Sequence, residues 1–317
     1  MAEMINKATR ESFGMALAEL SKEYPQLVVL DADLAKATRT DLFKAACPER
    51  FVDCGIAECN MVGVAAGLAA CGKIPVAATF AMFSAGRAFE QVRNSVGYPH
   101  LNVKVAGTHA GISVGEDGAT HQCLEDLALM RSIPGMTVLC PADHYETMAA
   151  VRAMVQYEGP VYIRLGRLPV ESVYHGGDHK FELGKGITLR QGTDVAIIAT
   201  GMEVQEAVKA ADLLAAEGVS AAVIDIHTIK PLDEQLVLEA ARAAGAVVTA
   251  EEHSVIGGLG DAVGAALLAG CPVPLEKVGV RDTFGHSGKG PALVDEFGLR
   301  APDIAAAARK AIARKAK

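Results

Sequence analysis

Short apolar runs alternate with alanine-rich helical stretches along most of the chain's 317 residues. The apolar runs predict strands at 27–31, 74–80, 102–107, 136–140, 160–165, 195–200, 221–226, 246–250 and 275–280. The stretches between them predict helices at 7–22, 58–71, 84–96, 143–158, 203–217, 233–244 and 302–315. Continuously apolar strands separated by helices are typical of parallel sheets, so the sequence predicts an α/β fold with mainly parallel sheets.

The alternation pauses once, in the polar and glycine-containing segment 169–186. A segment of this composition between two periodic regions is typical of a linker. The usual domain length of roughly 100–200 residues also favours two domains. We therefore predict consecutive α/β domains at 1–172 and 187–317, joined by a linker at 173–186.

Composition excludes several classes of protein. Hydrophobic residues are 50% of the chain and charged residues 21%, which excludes a largely disordered chain. A net charge of -8 gives no general attraction to nucleic acid or to an anionic membrane. No run approaches the ~20 apolar residues of a membrane-spanning helix, and the N-terminal segment lacks a signal peptide's apolar run. Seven scattered cysteines without a CxxC motif favour reduced thiols, and hence a cytoplasmic protein.

Two early segments carry candidate functional residues. Glu58 falls at a predicted turn-to-helix junction, where a carboxylate either caps the helix or exchanges a proton with a ring nitrogen from a buried position. Phe80 and Phe83 follow a predicted strand, and ligands of open α/β sheets bind beyond the carboxyl ends of strands. The two rings belong either to the core or to a flat apolar wall beside a heteroaromatic ligand.

A glycine-rich loop at 107–122 carries His109, Asp117 and His121 after another predicted strand. The loop is either a polar turn or a site for hydrogen-bond recognition and acid–base chemistry. Zinc binding by these three residues is less favoured because their spacing is loose. Arg164 and Arg167, at the end of a further strand, suit either phosphate recognition or surface ion pairs.

Together and in this order, these segments resemble the thiamine diphosphate-dependent transketolases. The resemblance continues through 225–233, 250–253 and 257–260, and so covers essentially the whole chain. It implies a pyrimidine-binding domain followed by a transketolase C-terminal domain. The family's N-terminal domain, which holds the diphosphate through Mg²⁺ and is marked by Gly-Asp-Gly, has no counterpart in this sequence. The chain therefore resembles the second subunit of a split transketolase.

The resemblance also implies roles for single residues. Glu58 corresponds to the glutamate that hydrogen-bonds the aminopyrimidine ring and promotes its imino tautomer, and His121 joins it as a catalytic residue. The implied cofactor-binding residues are Asp33, Leu34, Glu58, Phe80 and Phe83. The implied substrate-binding residues are Arg10, His109, Asp117, His121 and Arg167. Of these, Asp117 and His121 bind the donor's first hydroxyls, and the other three hold the sugar phosphate.

Three positions depart from the family's pattern. Ala37 replaces a frequent serine of the phosphate site, where Thr38, Arg39 or Thr40 could compensate. Cys59 follows the glutamate where relatives often carry glutamine, and Gly86 stands where some relatives have a third aromatic residue. The acceptor sugar is therefore not fixed by the resemblance.

The resemblance implies ketol transfer between sugar phosphates by a complex of two chains. The N-terminal partner would supply the Gly-Asp-Gly site and the Mg²⁺ ligands, and this chain itself would carry no metal ligands. Two copies of each subunit are expected, with helix 58–71, built largely from small residues, as a contact between copies. Alternatives are the C-terminal half of a deoxyxylulose-phosphate synthase, a β-subunit of a 2-oxoacid dehydrogenase, and a non-catalytic binding module.

Overall fold

A computed structural model describes residues 5–176 and 180–315 of the chain. Residues 177–179 of the predicted linker lie outside the described residues. The strands are β1 (Asn6–Ala8), β2 (Leu27–Asp31), β3 (Phe51–Asp53), β4 (Ile74–Phe80), β5 (Lys104–Thr108), β6 (Thr137–Leu139), β7 (Val161–Arg164), β8 (Pro169–Glu171), β9 (Ile187–Arg190), β10 (Val195–Ala199), β11 (Ala221–Asp225), β12 (Thr228–Lys230), β13 (Val247–Ser254) and β14 (Leu275–Val280). The α-helices are α1 (Thr9–Leu20), α2 (Ala35–Thr38), α3 (Asp41–Ala46), α4 (Glu58–Ala70), α5 (Phe89–Gln91), α6 (Asp126–Ser132), α7 (His144–Gln156), α8 (Glu203–Ala216), α9 (Glu234–Ala244), α10 (Leu259–Gly270), α11 (Gly290–Glu296) and α12 (Ala301–Ala313).

Two mainly parallel sheets form the framework, which confirms the predicted α/β fold. The first sheet has the order β12-β6-β7-β5-β4-β2-β3, and β12 is its one antiparallel strand. The second has the order β14-β13-β10-β11-β9, with β9 antiparallel at the edge. Strands β2, β5, β7, β10 and β11 are buried along their whole length, which is typical of strands covered on both faces of a sheet.

Strand order decides where the functional residues meet. Strands β2, β4, β5 and β7 are neighbours and run in parallel, so their carboxyl ends lie at one edge of the first sheet. The segments that follow β2, β4 and β5 begin at residues 32, 81 and 109. Residues far apart in the sequence are thereby brought to a single edge, the usual ligand site of open α/β sheets.

The region predicted as one helix at 84–96 is irregular. A π-helical turn, Met82–Arg87, leads into the short α5 and a second π-helical turn, Val92–Gly97. π-helical turns occur frequently at functional sites. A Cβ at position 86 would overlap the terminal methyl group of Met82, so any larger residue there would require that flexible side chain to move.

Arg164 joins the two halves of the chain through buried ion pairs. Its Nε donates to Oδ2 of Asp126 at 2.9 Å, and its Nη2 donates to the backbone carbonyl of Glu252 at 2.6 Å. The side chains of Arg164, Asp126 and Glu252 are 5%, 0% and 2% exposed. Arg164 therefore forms neither of the contacts expected from the sequence, a phosphate site or a surface ion pair.

A second buried acidic cluster lies between the halves, where Glu146 of α7 faces Asp225 of β11. Both carboxyl groups are fully buried. Tyr174 donates its hydroxyl hydrogen to Asp225 at 2.7 Å, and Asp143 lies beside the pair. Burial raises the pKa of Asp225 to about 7, and burial together with the Asp225 charge raises the pKa of Glu146.

This cluster predicts that stability falls as pH rises. A carboxyl group whose pKa is raised by folding stabilises the protein below its unfolded pKa, and that stability is lost as pH rises through the folded pKa. We expect the melting temperature to fall between pH 5 and pH 8, by about 2–4 °C for each 1 kcal/mol lost. The melting temperature of the Asp225→Asn variant, which lacks the titrating group, should fall less over that interval in calorimetric scans. An equal fall of the melting temperature in the wild type and in Asp225→Asn would show that the acidic cluster does not cause the pH dependence.

Candidate functional site

Glu58 is the first residue of α4 and is almost completely buried, with a side chain 2% exposed. The partial positive charge of a helix N-terminus favours a carboxylate there. Nη1 of Arg87 donates to both carboxylate oxygens of Glu58, at 2.9 Å each. The half-exposed guanidinium of Arg87 thus covers a buried acceptor and fills the space between Glu58 and the Phe83 ring, which is called the slot below.

Four rings form a wall beside Glu58. The ring centroids of Phe80 and Phe83 are 5.8 Å apart, and the rings are stacked. The His109 ring lies 4.0 Å from Phe80, and the His121 ring lies edge-on to Phe83 at 5.3 Å. The guanidinium carbon of Arg87 lies 4.3 Å from the Phe83 ring centroid. The wall thus brings together four of the predicted site residues.

His109 is neutral at physiological pH. Burial lowers its pKa to about 3, and the positive charges of Arg10 and Arg167 act in the same direction. One ring nitrogen, Nδ1, lies 3.0 Å from the hydroxyl of Thr108. The imidazole can therefore donate or accept hydrogen bonds, but it supplies no positive charge.

Arg10 and Arg167 add positive charge close to His109. Nη1 of Arg10 donates to the backbone carbonyl of Ala37 at 2.6 Å. Ala37 is the position where relatives often carry serine. Nη1 of Arg167 donates to Oε2 of Glu116 at 2.7 Å and also to the carbonyl of Val114. Arg10 and Arg167 thus supply the positive charge near His109.

The turn after β2 is fixed by buried hydrogen bonds to Asp31. The hydroxyls of Thr38 and Thr40 donate to its carboxylate at 2.7 and 2.9 Å, and the Leu34 amide donates at 2.6 Å. Both threonines are buried, and their hydroxyls already donate to Asp31. They therefore do not take the place of the serine that relatives carry at position 37. Asp33 is exposed, with a left-handed φ of 62°, and Leu34 is half-buried.

Asp117 and His121 lie on the glycine-rich loop. Asp117 is exposed, and Nδ1 of the half-buried His121 lies 2.9 Å from the hydroxyl of Thr120. The buried amide of Gln122 donates to the carbonyls of Ile112 at 3.2 Å and His286 at 3.0 Å. Because His286 follows β14, the second half of the chain holds the base of this loop.

The described residues contain neither a metal-binding cluster nor a membrane-spanning helix. No three histidine, cysteine, aspartate or glutamate side chains in 5–176 and 180–315 are grouped so that they could hold a metal ion. Within the same ranges, none of the helices has the length and apolar character needed to cross a bilayer.

Arg87 is the site residue that the sequence analysis missed. Its spacing of four from Phe83 is compatible with neighbours on one helical face and is the one local signal available. Its second partner, Glu58, is 29 residues away in the sequence. Only the packing of α4 against the segment Met82–Arg87 brings these two groups together.

Comparisons with known proteins agree with this geometry. Residues 6–171 match the family model "Transketolase, pyrimidine binding domain", and residues 184–304 match "Transketolase, C-terminal domain". A 6-deoxy-6-sulfo-D-fructose transketolase subunit of Clostridium sp. strain MSTE9 is 47% identical over 96% of this chain and 95% of its own length. An apulose-4-phosphate transketolase subunit of Phocaeicola vulgatus is 38% identical over 92% of this chain and 93% of its own length.

A solved structure of a split gene transketolase, an inactive beta4 tetramer, is also similar. It is 54% identical, with a TM-score of 0.91, and the match covers 98% of this chain and 99% of that chain. These three relatives, which match this chain nearly from end to end, are two transketolase subunits and a split gene transketolase. An N-terminal partner subunit and oligomerisation follow from this kinship. The chain belongs to the transketolase family, as the C-terminal subunit of a transferase that acts with a partner chain.

Proposed function

We propose that this chain, with its N-terminal partner, transfers a two-carbon ketol unit from a ketose phosphate to an aldose acceptor by means of thiamine diphosphate. The observation that carries the proposal is the buried carboxylate of Glu58 beside the Phe80–Phe83 wall. When bound, the cofactor supplies the C2 carbanion that attacks the donor's carbonyl. The residues of this chain bind, orient and exchange protons around that chemistry.

The slot beside Glu58 fits an aminopyrimidine ring. A guanidinium already lies there, donating to the carboxylate at 2.9 Å and lying 4.3 Å from the Phe83 ring centroid. The slot therefore accepts a flat group with N–H donors. Phe80 and Phe83 would pack the ring, while Glu58 would hold or move a proton at a ring nitrogen. Asp33 and the half-buried Leu34, on the turn fixed by Asp31, would add to the cofactor site.

The glycine-rich loop is proposed as the donor site. Asp117 and His121 would hold the first hydroxyls of the ketose, and the His121 ring lies edge-on to Phe83, one of the two residues proposed to pack the pyrimidine ring. Arg10 and Arg167 would hold the sugar phosphate, because the neutral His109 adds a hydrogen bond but no charge. Charge-assisted bonds from arginine suit phosphate oxygens.

The partner is proposed to contribute the Gly-Asp-Gly diphosphate site and the Mg²⁺ ligands, in an assembly of two copies of each chain. One face of α4 is well suited to a contact between copies. Gly63, Val64 and Gly67 are exposed, and a Cβ added at either glycine would meet nothing within 4 Å. Another backbone can therefore approach this face closely. We assign the assembly to the cytoplasm, in keeping with seven free cysteines.

The sugars are best determined with a panel of substrates. The two relatives named above are transketolase subunits for a sulfo-sugar and for apulose-4-phosphate, so kinship leaves the donor and acceptor open. Coupled assays of the reconstituted pair with phosphorylated, sulfonated and neutral ketoses would rank the donors. A clear preference for phosphorylated ketoses, reduced by Arg167→Met, would support the proposed phosphate site. Equal use of neutral sugars would contradict it.

Cofactor affinity tests the division of labour between the chains. We expect thiamine diphosphate with Mg²⁺ to bind the isolated chain at least about tenfold more weakly than the reconstituted pair, a difference of about 1.4 kcal/mol. The reason is that the diphosphate contacts lie on the partner. Isothermal titration calorimetry measures both affinities, and equal affinities would contradict the proposed division.

A further inference from the structure

The guanidinium of Arg87 fills the slot that the proposed function assigns to the cofactor's pyrimidine ring. Nη1 of Arg87 lies 2.9 Å from each oxygen of Glu58, and the guanidinium carbon is 4.3 Å from the Phe83 ring centroid. The Arg87 side chain is 48% exposed, whereas that of Glu58 is 2% exposed. The arginine thus covers the carboxylate on the side of the solvent.

A guanidinium and an aminopyrimidine make the same demands on their surroundings. Both are flat, both donate N–H groups to a carboxylate, and both pack against an aromatic face. The two groups cannot occupy the space between Glu58 and Phe83 at the same time. We propose that Arg87 closes the pyrimidine slot in the absence of cofactor and is displaced toward solvent when the ring enters. This inference rests on the proposed function of Glu58.

Whenever the ring is not bound, the carboxylate of Glu58 needs another partner. A buried carboxylate without a partner is strongly unfavourable, and the only polar side chain bonded to Glu58 among the described residues is Arg87. The arginine satisfies this charge and also makes a cation–π contact with Phe83. Both interactions must be given up before the ring can bind, so Arg87 lowers the apparent affinity for the cofactor.

Arg87 is also placed so that it can leave. It ends the π-helical turn Met82–Arg87, and its half-exposed side chain is long enough to turn outward without a change in the backbone. Glu58, by contrast, is held within the first turn of α4. Opening of the slot therefore requires a rotamer change of one surface arginine rather than a movement of helices.

The test is the affinity of the reconstituted two-chain enzyme for thiamine diphosphate with Mg²⁺, measured by calorimetry. Arg87→Met keeps most of the apolar stem but removes the group that competes with the ring. We expect it to bind the cofactor about tenfold more tightly than the wild type, equivalent to about 1.4 kcal/mol. Arg87→Lys keeps the charge without the planar fork and should show a smaller gain. Arg93→Met removes an exposed arginine that bonds Asn94 and should leave the affinity unchanged.

The outcomes separate the inference from the function on which it rests. Unchanged or weaker binding by Arg87→Met would overturn the inference and make Arg87 a residue that holds the cofactor. Glu58→Gln in the same assay tests the slot itself, because loss of affinity in that variant supports the pyrimidine site whatever Arg87 does. Thermal unfolding of each variant identifies any change in affinity that comes from misfolding.

Discussion

Glu58→Gln is expected to lower kcat of the reconstituted enzyme by about 10²–10⁴-fold, the usual contribution of general acid–base catalysis. Glutamine keeps the shape of the side chain but neither accepts nor returns a proton. The carboxylate is buried at the start of α4. Among the described residues, Glu58 is the acidic side chain that bonds Arg87, and no second one does so. Steady-state ketol transfer at saturating cofactor measures the loss.

A matched control is available on the surface nearby. Glu90 is exposed and bonds Gln91 and Asn94, so Glu90→Gln changes the same chemical group outside the slot. It should leave kcat unchanged. Circular dichroism and thermal unfolding should show that Glu58→Gln remains folded, because Glu58 bonds to a half-exposed arginine rather than to the core. A Glu58→Gln enzyme within about threefold of wild-type kcat, well short of the usual contribution, would refute the proposed role.

Most of the longer strands could be predicted because buried strands have nearly continuous apolar sequences. The runs at 27–31, 74–80 and 275–280 have the predicted boundaries in the structure, and the other predicted strands differ at one or both ends. A strand covered on both faces is apolar at nearly every position, as in Leu27–Asp31 and Ile74–Phe80, and such a run is easily recognised. Strand β14 is at the edge of its sheet and carries Glu276 and Lys277, so this reason does not apply to it. Strands β1, β3, β8, β9 and β12 were not predicted. They are three or four residues long and mostly partly exposed, and distant pairing rather than local composition defines them.

The candidate site divides in the same way. Phe80 and His109 adjoin the ends of buried strands, so their meeting at one edge follows from parallel strand order. The acidic partners of Arg87 and Arg164 do not follow from any local rule. Arg87 meets Glu58 through the packing of a π-helical turn, and Arg164 meets Glu252 from the other half of the chain. Long side chains such as these have several possible partners, and only the tertiary fold selects one.

Arg164→Met is expected to destabilise the chain by about 3–5 kcal/mol, the typical cost of removing one partner from a buried ion pair. The methionine leaves the fully buried carboxylate of Asp126 without its cation, although the Tyr162 hydroxyl still donates to it at 2.8 Å. Burial raises the pKa of Glu252 and the Arg164 charge opposes that rise, so Glu252 also loses the charge that favours its ionised form. Urea unfolding followed by circular dichroism measures the free energy.

Arg152→Met supplies the comparison, because Arg152 also forms a close ion pair with a carboxylate, at 2.6 Å from Glu23. Both of these side chains are more than two-fifths exposed, and an exposed pair contributes only about 0–1 kcal/mol. The arginine-to-methionine substitution should therefore change the free energy of unfolding very little at position 152 and lower it strongly at position 164. Because Arg164 also bonds the backbone of Glu252, its loss should lower the cooperativity between the two halves as well as the total stability. Equal effects at the two positions would show that the buried pair does not join the halves.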